Sequence, residues 1–182
     1  AVFVLCLLPF AWLLYRTLTN QLSANPVEDL IRTLGDWALR FLLIALAVTP
    51  VRILTGWGEV ARLRRMLGLF AFTYVVLHVI AYVGIDQHFD MKGLFEDVAK
   101  RIYITFGMAA LAMLIPLAAT STDGMIRRLG GIRWRQLHLL VYPAGIAGVI
   151  HYFLMIKAGY MQPLIYALIL TALFGVRLSK RR

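Results

Sequence analysis

Three histidines lie inside apolar stretches of this chain: His78 within 66–85, and His138 and His151 within 134–157. An ionisable side chain in an apolar run of membrane length is costly, and by default it marks a functional site. Neutral imidazole is the side chain best suited to hold a metal there, because it donates a lone pair without carrying charge. The fourth histidine, His88, sits among Asp86, Gln87 and Asp90 and reads as solvated. Cys6 is the only cysteine, which excludes an intrachain disulfide and any cluster held by several thiolates. It reads as a small buried apolar side chain. Met108 and Met113 read as gap-filling core rather than sulfur ligands.

The elements that must position these residues follow from composition. The 182 residues are 61% apolar, against about half in a soluble domain. The excess falls in blocks of about the length that crosses a hydrocarbon core. The sequence predicts an all-α membrane protein, a single domain over 1–182, with six spans near 1–15, 37–54, 66–85, 102–119, 136–156 and 163–178. Pro50 is expected to end the second span. No small-residue cleavage site follows the first apolar block, so no removable signal peptide is expected, and the absence of an initial Met predicts residues before Ala1. No internal repeat is evident.

The net charge of +10 is distributed in a way that argues for membrane lipid and against nucleic acid. Segment 52–65 carries Arg52, Arg62, Arg64 and Arg65 against Glu59, and segment 120–135 carries Arg127, Arg128, Arg133 and Arg135 against Asp123. The tail adds Arg177, Lys180, Arg181 and Arg182. Basic residues in short loops stay cytoplasmic. Both termini and these two loops are therefore expected on the cytoplasmic side. Trp57 and Trp134 fall at the same interface, as belt residues or as part of a docking surface for a flavin or a soluble reductase.

Spans three and five run parallel in this topology, so depth is counted from their inner ends. His78 and His151 then share a level in the outer half, as the axial pair of a six-coordinate heme requires. Ala144, Ala147 and Gly148 give His151 a smooth neighbourhood that suits a flat macrocycle, although it suits close helix packing equally. The competing reading makes both histidines buried side chains that bond backbone or each other. His138 lies deeper towards the cytoplasm, about 140° around an ideal helix from His151, and the residue matching its depth on span three is Arg65. Arg32 and Arg40, at the outer mouth of span two, are interface anchors or partners of heme propionates.

Several ordered motifs together resemble one family. They are Arg64-Arg65-Met66-Leu67-Gly68-Leu69 with His78 downstream, Thr120-Ser121-Thr122, Leu129-Gly130, Trp134-Arg135-Gln136-Leu137-His138 with Tyr142, and His151-Tyr152. The chain resembles the MsrQ/YedZ family, the heme-binding membrane subunits of the bacterial protein-methionine-sulfoxide reductase system, within the ferric-reductase-like transmembrane group. The resemblance implies b-type heme, one or two per chain, with His78, His138 and His151 matching the family's histidines. It also implies flavin mononucleotide (FMN), a multi-pass place in the bacterial inner membrane, and electrons from the quinone pool or a cytoplasmic flavin reductase. The expected acceptor is a periplasmic molybdopterin-containing methionine-sulfoxide reductase that repairs oxidised envelope proteins. This chain is expected to be the electron-transfer subunit, with no catalytic residue of its own. The wider group has a second histidine on span three where this chain has Arg65. Two alternatives remain: a stand-alone transmembrane ferric or quinone reductase, and a heme-free transporter whose histidines relay protons or metal.

Overall fold

The computed structural model describes residues 1–157 and 159–179, and these are helical almost throughout. Lys180, Arg181 and Arg182, three of the four tail cations, lie outside the described residues. In chain order the helices are α1 (Val2–Leu18), α2 (Pro26–Thr55), α3 (Leu63–Ile80), α4 (Met91–Lys100), α5 (Ile102–Ala119), α6 (Asp123–Leu129), α7 (Gly131–Leu137), α8 (Val141–Met155) and α9 (Met161–Ser179). A tight 3-10 turn, Gly58–Arg62, leads into α3, and a wider π turn, Ala81–Asp86, continues it. A second 3-10 turn, His138–Leu140, joins α7 to α8.

Among the described residues, five helical stretches are long and apolar enough to cross a membrane: Pro26–Thr55, Gly58–Asp86, Ile102–Ala119, Gly131–Met155 and Met161–Ser179. The segment expected as a sixth span is the shorter apolar helix α1, of 17 residues. Its outer face carries Phe3, Leu5, Leu8 and Trp12 exposed, and α9 does the same with Leu168. Such continuous apolar surface needs lipid or another apolar cover. This is a multi-pass membrane protein.

α2 is the central helix, with Leu39, Leu42, Leu43 and Leu46 all buried. It begins well before the expected span. The Asn25 side chain accepts a hydrogen bond from the Glu28 amide, and Pro26 takes the first helical position, where its missing N–H costs nothing. Pro50 does not end it. The helix runs on to Thr55 and stops at Gly56, whose φ of 71° is the left-handed conformation that glycine adopts freely. The reason lies on another helix. Pro50 has no N–H to offer the carbonyl of Leu46, four residues back, and the Arg177 guanidinium from α9 donates to that carbonyl instead.

A similar repair supports α1. The Tyr74 hydroxyl of α3 accepts from the Phe10 amide and donates to the Cys6 carbonyl, both at 3.0 Å. It thus stands in for the helical hydrogen bond those groups would share, next to Pro9. Cys6 is buried, as its apolar reading requires.

The remaining helices form two pairs: α2 packs along α3, and α5 packs along α8. The short helix α4 covers one end. Tyr82 donates to Asp97 at 2.6 Å and the Thr105 hydroxyl donates to the Val98 carbonyl at 2.7 Å, so α4 is tied to both pairs.

Candidate functional site

Two cavities lie between the helix pairs, one above the other, and both are bordered by Leu42 and Leu114. The first has a volume of about 500 Å³ and is bordered by His78 from α3 and His151 from α8. The centroids of their rings are 6.2 Å apart, and the ring planes are crossed at 83°. Each Nδ1 meets a backbone carbonyl: that of Ile31 at 2.8 Å for His78, and that of Tyr103 at 2.6 Å for His151. A carbonyl only accepts, so each Nδ1 carries the hydrogen. Each neutral ring then keeps its lone pair on Nε2, which has no hydrogen-bond partner among the described residues.

The donor set suits one metal ion between two imidazoles. Two metal–nitrogen bonds of about 2 Å each, with the distance from nitrogen to ring centre added on both sides, come to about 6 Å. A hydrogen bond from the far ring nitrogen to a carbonyl is the usual support of a metal-bound histidine, fixing its tautomer and orientation. Nε2 lone pairs over an apolar cavity of this size also fit a ligand-binding pocket. The residues therefore fit a bis-imidazole heme.

Two glycines missed by sequence reasoning complete the arrangement. A Cβ placed on Gly35 would lie 3.0 Å from Nδ1 of His78, and one on Gly107 would lie 2.8 Å from Nδ1 of His151. Glycine inside a helix costs about 1 kcal/mol relative to alanine, so its presence mid-helix at Gly35 and Gly107 was the signal that something presses on the backbone. Ala144 and Gly148, read as a smooth face beside His151, do border this cavity.

Charged groups at the first cavity balance. Glu28, Asp36 and Asp86 stand against Arg32, Arg101 and Lys157. Arg32 pairs with Glu28 on the same helix, and Arg101 with Asp97. Arg40 is placed differently. Its Nε donates to the Tyr166 hydroxyl at 2.8 Å, its guanidinium lies over the Trp37 ring, and it is 3.9 Å from Asp36, so it reaches this cavity only through Asp36. Arg101 and Lys157 had no distinguishing signal in the sequence.

The second cavity, of about 400 Å³, contains His138. The 3-10 turn that starts at His138 winds about 120° per residue rather than 100°, which reduces its offset from His151 from about 140° to about 80°. The ring is held by neighbours. Its Nε2 lies 3.2 Å from the Thr120 hydroxyl and its face stacks on Trp134 at 3.9 Å, while Trp134 donates to the Thr120 carbonyl at 2.9 Å. Arg65 shares the cavity, as the depth comparison expected, and is paired with Asp123 across the two basic loops. Arg64, Arg135 and Arg177 also border it, and among the described residues no carboxylate does. Arg177 donates to the Tyr142 hydroxyl and the Leu46 carbonyl. Its Nε is the one buried side-chain polar atom among the described residues without a partner. Arg65 holds the exposed Asp123 carboxyl below the usual carboxylate range.

His88 is exposed, with φ 49°, and among the described residues its ring hydrogen-bonds only the Asp86 carbonyl. No group of three or more histidine, cysteine or acidic residues is placed to hold a metal ion among the described residues.

A multi-helix membrane domain with two histidines facing each other across its helix pairs defines a class. Residues 34–149 match the family described as the ferric reductase like transmembrane component, and the chain belongs to it. Within that family it belongs to the MsrQ group. It is 57% identical over 178 residues to the protein-methionine-sulfoxide reductase heme-binding subunit MsrQ of Rhodospirillum rubrum, covering 98% of this chain and 86% of that one. Subunits of the same description from Herminiimonas arsenicoxydans (50% identical; 97% and 82% covered) and Caulobacter vibrioides (48%; 100% and 86%) are similarly close.

Proposed function

We propose that this chain carries b-type heme in the first cavity, with His78 and His151 as axial ligands, and moves electrons across the bacterial inner membrane. The observation that carries the reading is the pair of carbonyl-tethered imidazoles 6.2 Å apart over one cavity. The relatives' description as heme-binding subunits agrees with it. Heme would supply one-electron chemistry. The chain's own residues would hold it, orient it and keep water from it. His78 and His151 would hold the iron with one imidazole each, which would favour electron transfer over oxygen binding. Arg32, with Arg101 and Lys157, lies at the mouth as a partner for propionates, while Arg40 acts through Asp36.

In this reading α1 is a sixth span and both termini are cytoplasmic, so the basic loops and the second cavity face the cytoplasm. Electrons enter there from quinol or a cytoplasmic flavin reductase. The four guanidiniums of the second cavity suit the phosphate of FMN, with the Trp134 and His138 rings close by. The shared Leu42 and Leu114 leave the two cavities in near contact. The acceptor is a periplasmic molybdopterin-containing methionine-sulfoxide reductase, docked at the α4 end. Stopped-flow reoxidation of the reduced protein tests this. A periplasmic reductase of that class, supplied with methionine sulfoxide, should accelerate reoxidation, and ferric citrate alone should not. The opposite result would favour a stand-alone ferric reductase.

A further inference from the structure

The two histidines are held by the same device, built twice. Ile31 precedes Gly35 by four residues, and Tyr103 precedes Gly107 by four. In α-helical register the amide of residue i+4 meets the carbonyl of residue i. Each imidazole therefore donates from Nδ1 to the carbonyl at one end of a helical turn and lies over the bare Cα of the glycine at the other. α2 does this for His78 of α3, and α5 does it for His151 of α8. The local sequences echo one another: Ile31-Arg32-Thr33-Leu34-Gly35 and Tyr103-Ile104-Thr105-Phe106-Gly107.

We infer that Gly35 and Gly107 are positioning residues, which together with the carbonyls of Ile31 and Tyr103 lock the two imidazole planes in their crossed orientation. This rests on the heme reading above and adds to it a fixed ring angle. One hydrogen bond to a carbonyl restrains a ring but leaves it free to rock about that bond. The glycine contact removes the remaining freedom, because ring atoms 3.0–3.1 Å from a prospective Cβ at Gly35, and 2.8–3.0 Å at Gly107, occupy the space of a side chain. The angle matters electronically. An imidazole interacts through its π system with the iron d orbital normal to its plane. Crossed rings engage two such orbitals equally and leave them close in energy, whereas parallel rings engage one and split them.

Electron paramagnetic resonance of the oxidised, heme-loaded protein reads this directly. The wild type should give the single large-gmax feature of near-degenerate orbitals, and a three-line rhombic spectrum would overturn the inference. Gly35→Ala and Gly107→Ala should each remove that feature and lower heme affinity about 10-fold. Gly175→Ala, where an added Cβ meets nothing within 4 Å, serves as the control and should do neither. Alanine variants with wild-type spectra and heme content would refute the positioning role. A second measurement needs no heme. Nitrogen-15 NMR of histidine-labelled apoprotein should show Nδ1–H tautomers at His78 and His151, disturbed at His78 alone by Gly35→Ala and at His151 alone by Gly107→Ala. Unchanged rings in both variants would also refute it. Heme-free protein from heme-replete cells is a different failure: it would sink the heme reading and leave the tautomer measurement to judge the cradle alone.

Discussion

The two cavities share walls and differ in what they offer a ligand. The first presents two imidazole lone pairs with their reverse sides tied to backbone, amid three acids and three bases. The second presents one imidazole whose Nε2 already meets a hydroxyl, amid four guanidiniums and, among the described residues, no acid. The first offers lone pairs to a ligand and the second offers positive charge. A buried charge without a partner is destabilising, and Arg177 keeps an unpaired Nε beside its cavity. The contrast lies in which ring nitrogen is engaged: a backbone carbonyl at Nδ1 leaves Nε2 of His78 and His151 facing the first cavity, whereas Nε2 of His138 meets the Thr120 hydroxyl.

The largest effect should come from breaking the first cavity. His78→Ala or His151→Ala should abolish its heme, read as loss of the Soret band per chain, because a single remaining ligand leaves the cofactor half-held. Arg177→Gln addresses the second cavity and should sharpen the contrast. Bound FMN, measured by its fluorescence after denaturation, should fall about 10- to 100-fold while heme content stays unchanged, consistent with losing a charge-assisted contact worth about 1.5–3 kcal/mol. Equal loss of both would mean that the cavities act as one site.

Much of this was legible from residue type and spacing. The level shared by His78 and His151 follows from counting along parallel apolar runs, and so does the level shared by His138 and Arg65. The persistence of α2 through Pro50 was not legible, because the donor that repairs it is Arg177, far along the chain. Nor was the placement of Arg40, which depends on Tyr166 of another helix. The cradle was half legible. Two mid-helix glycines, each preceded by threonine and an apolar residue, are visible in the sequence, but that a ring presses on each requires knowing which helices pair.

A smaller effect should separate His138 from the other histidines. His138→Ala should leave the first-cavity heme in place and raise Trp134 fluorescence, since the stacked ring that quenches the indole is removed. The smallest effect concerns Arg65 and Asp123. Because the folded Asp123 carboxyl titrates below its unfolded value, this contact stabilises above the ordinary carboxylate pKa of about 4 and is lost as pH falls through the lower folded value. Asp123→Asn should flatten that acid-side dependence in a thermal melt. At neutral pH it should change the melting temperature little, as expected for an exposed pair.

The most direct test of the central claim is a pyridine-hemochrome count on detergent-purified protein, made in parallel on the wild type and the three histidine-to-alanine variants. The account predicts b heme in the wild type, its first-cavity heme kept without His138 and lost without His78 or His151. First-cavity heme retained in full by either the His78 or the His151 variant, or heme lost entirely without His138 alone, would contradict it.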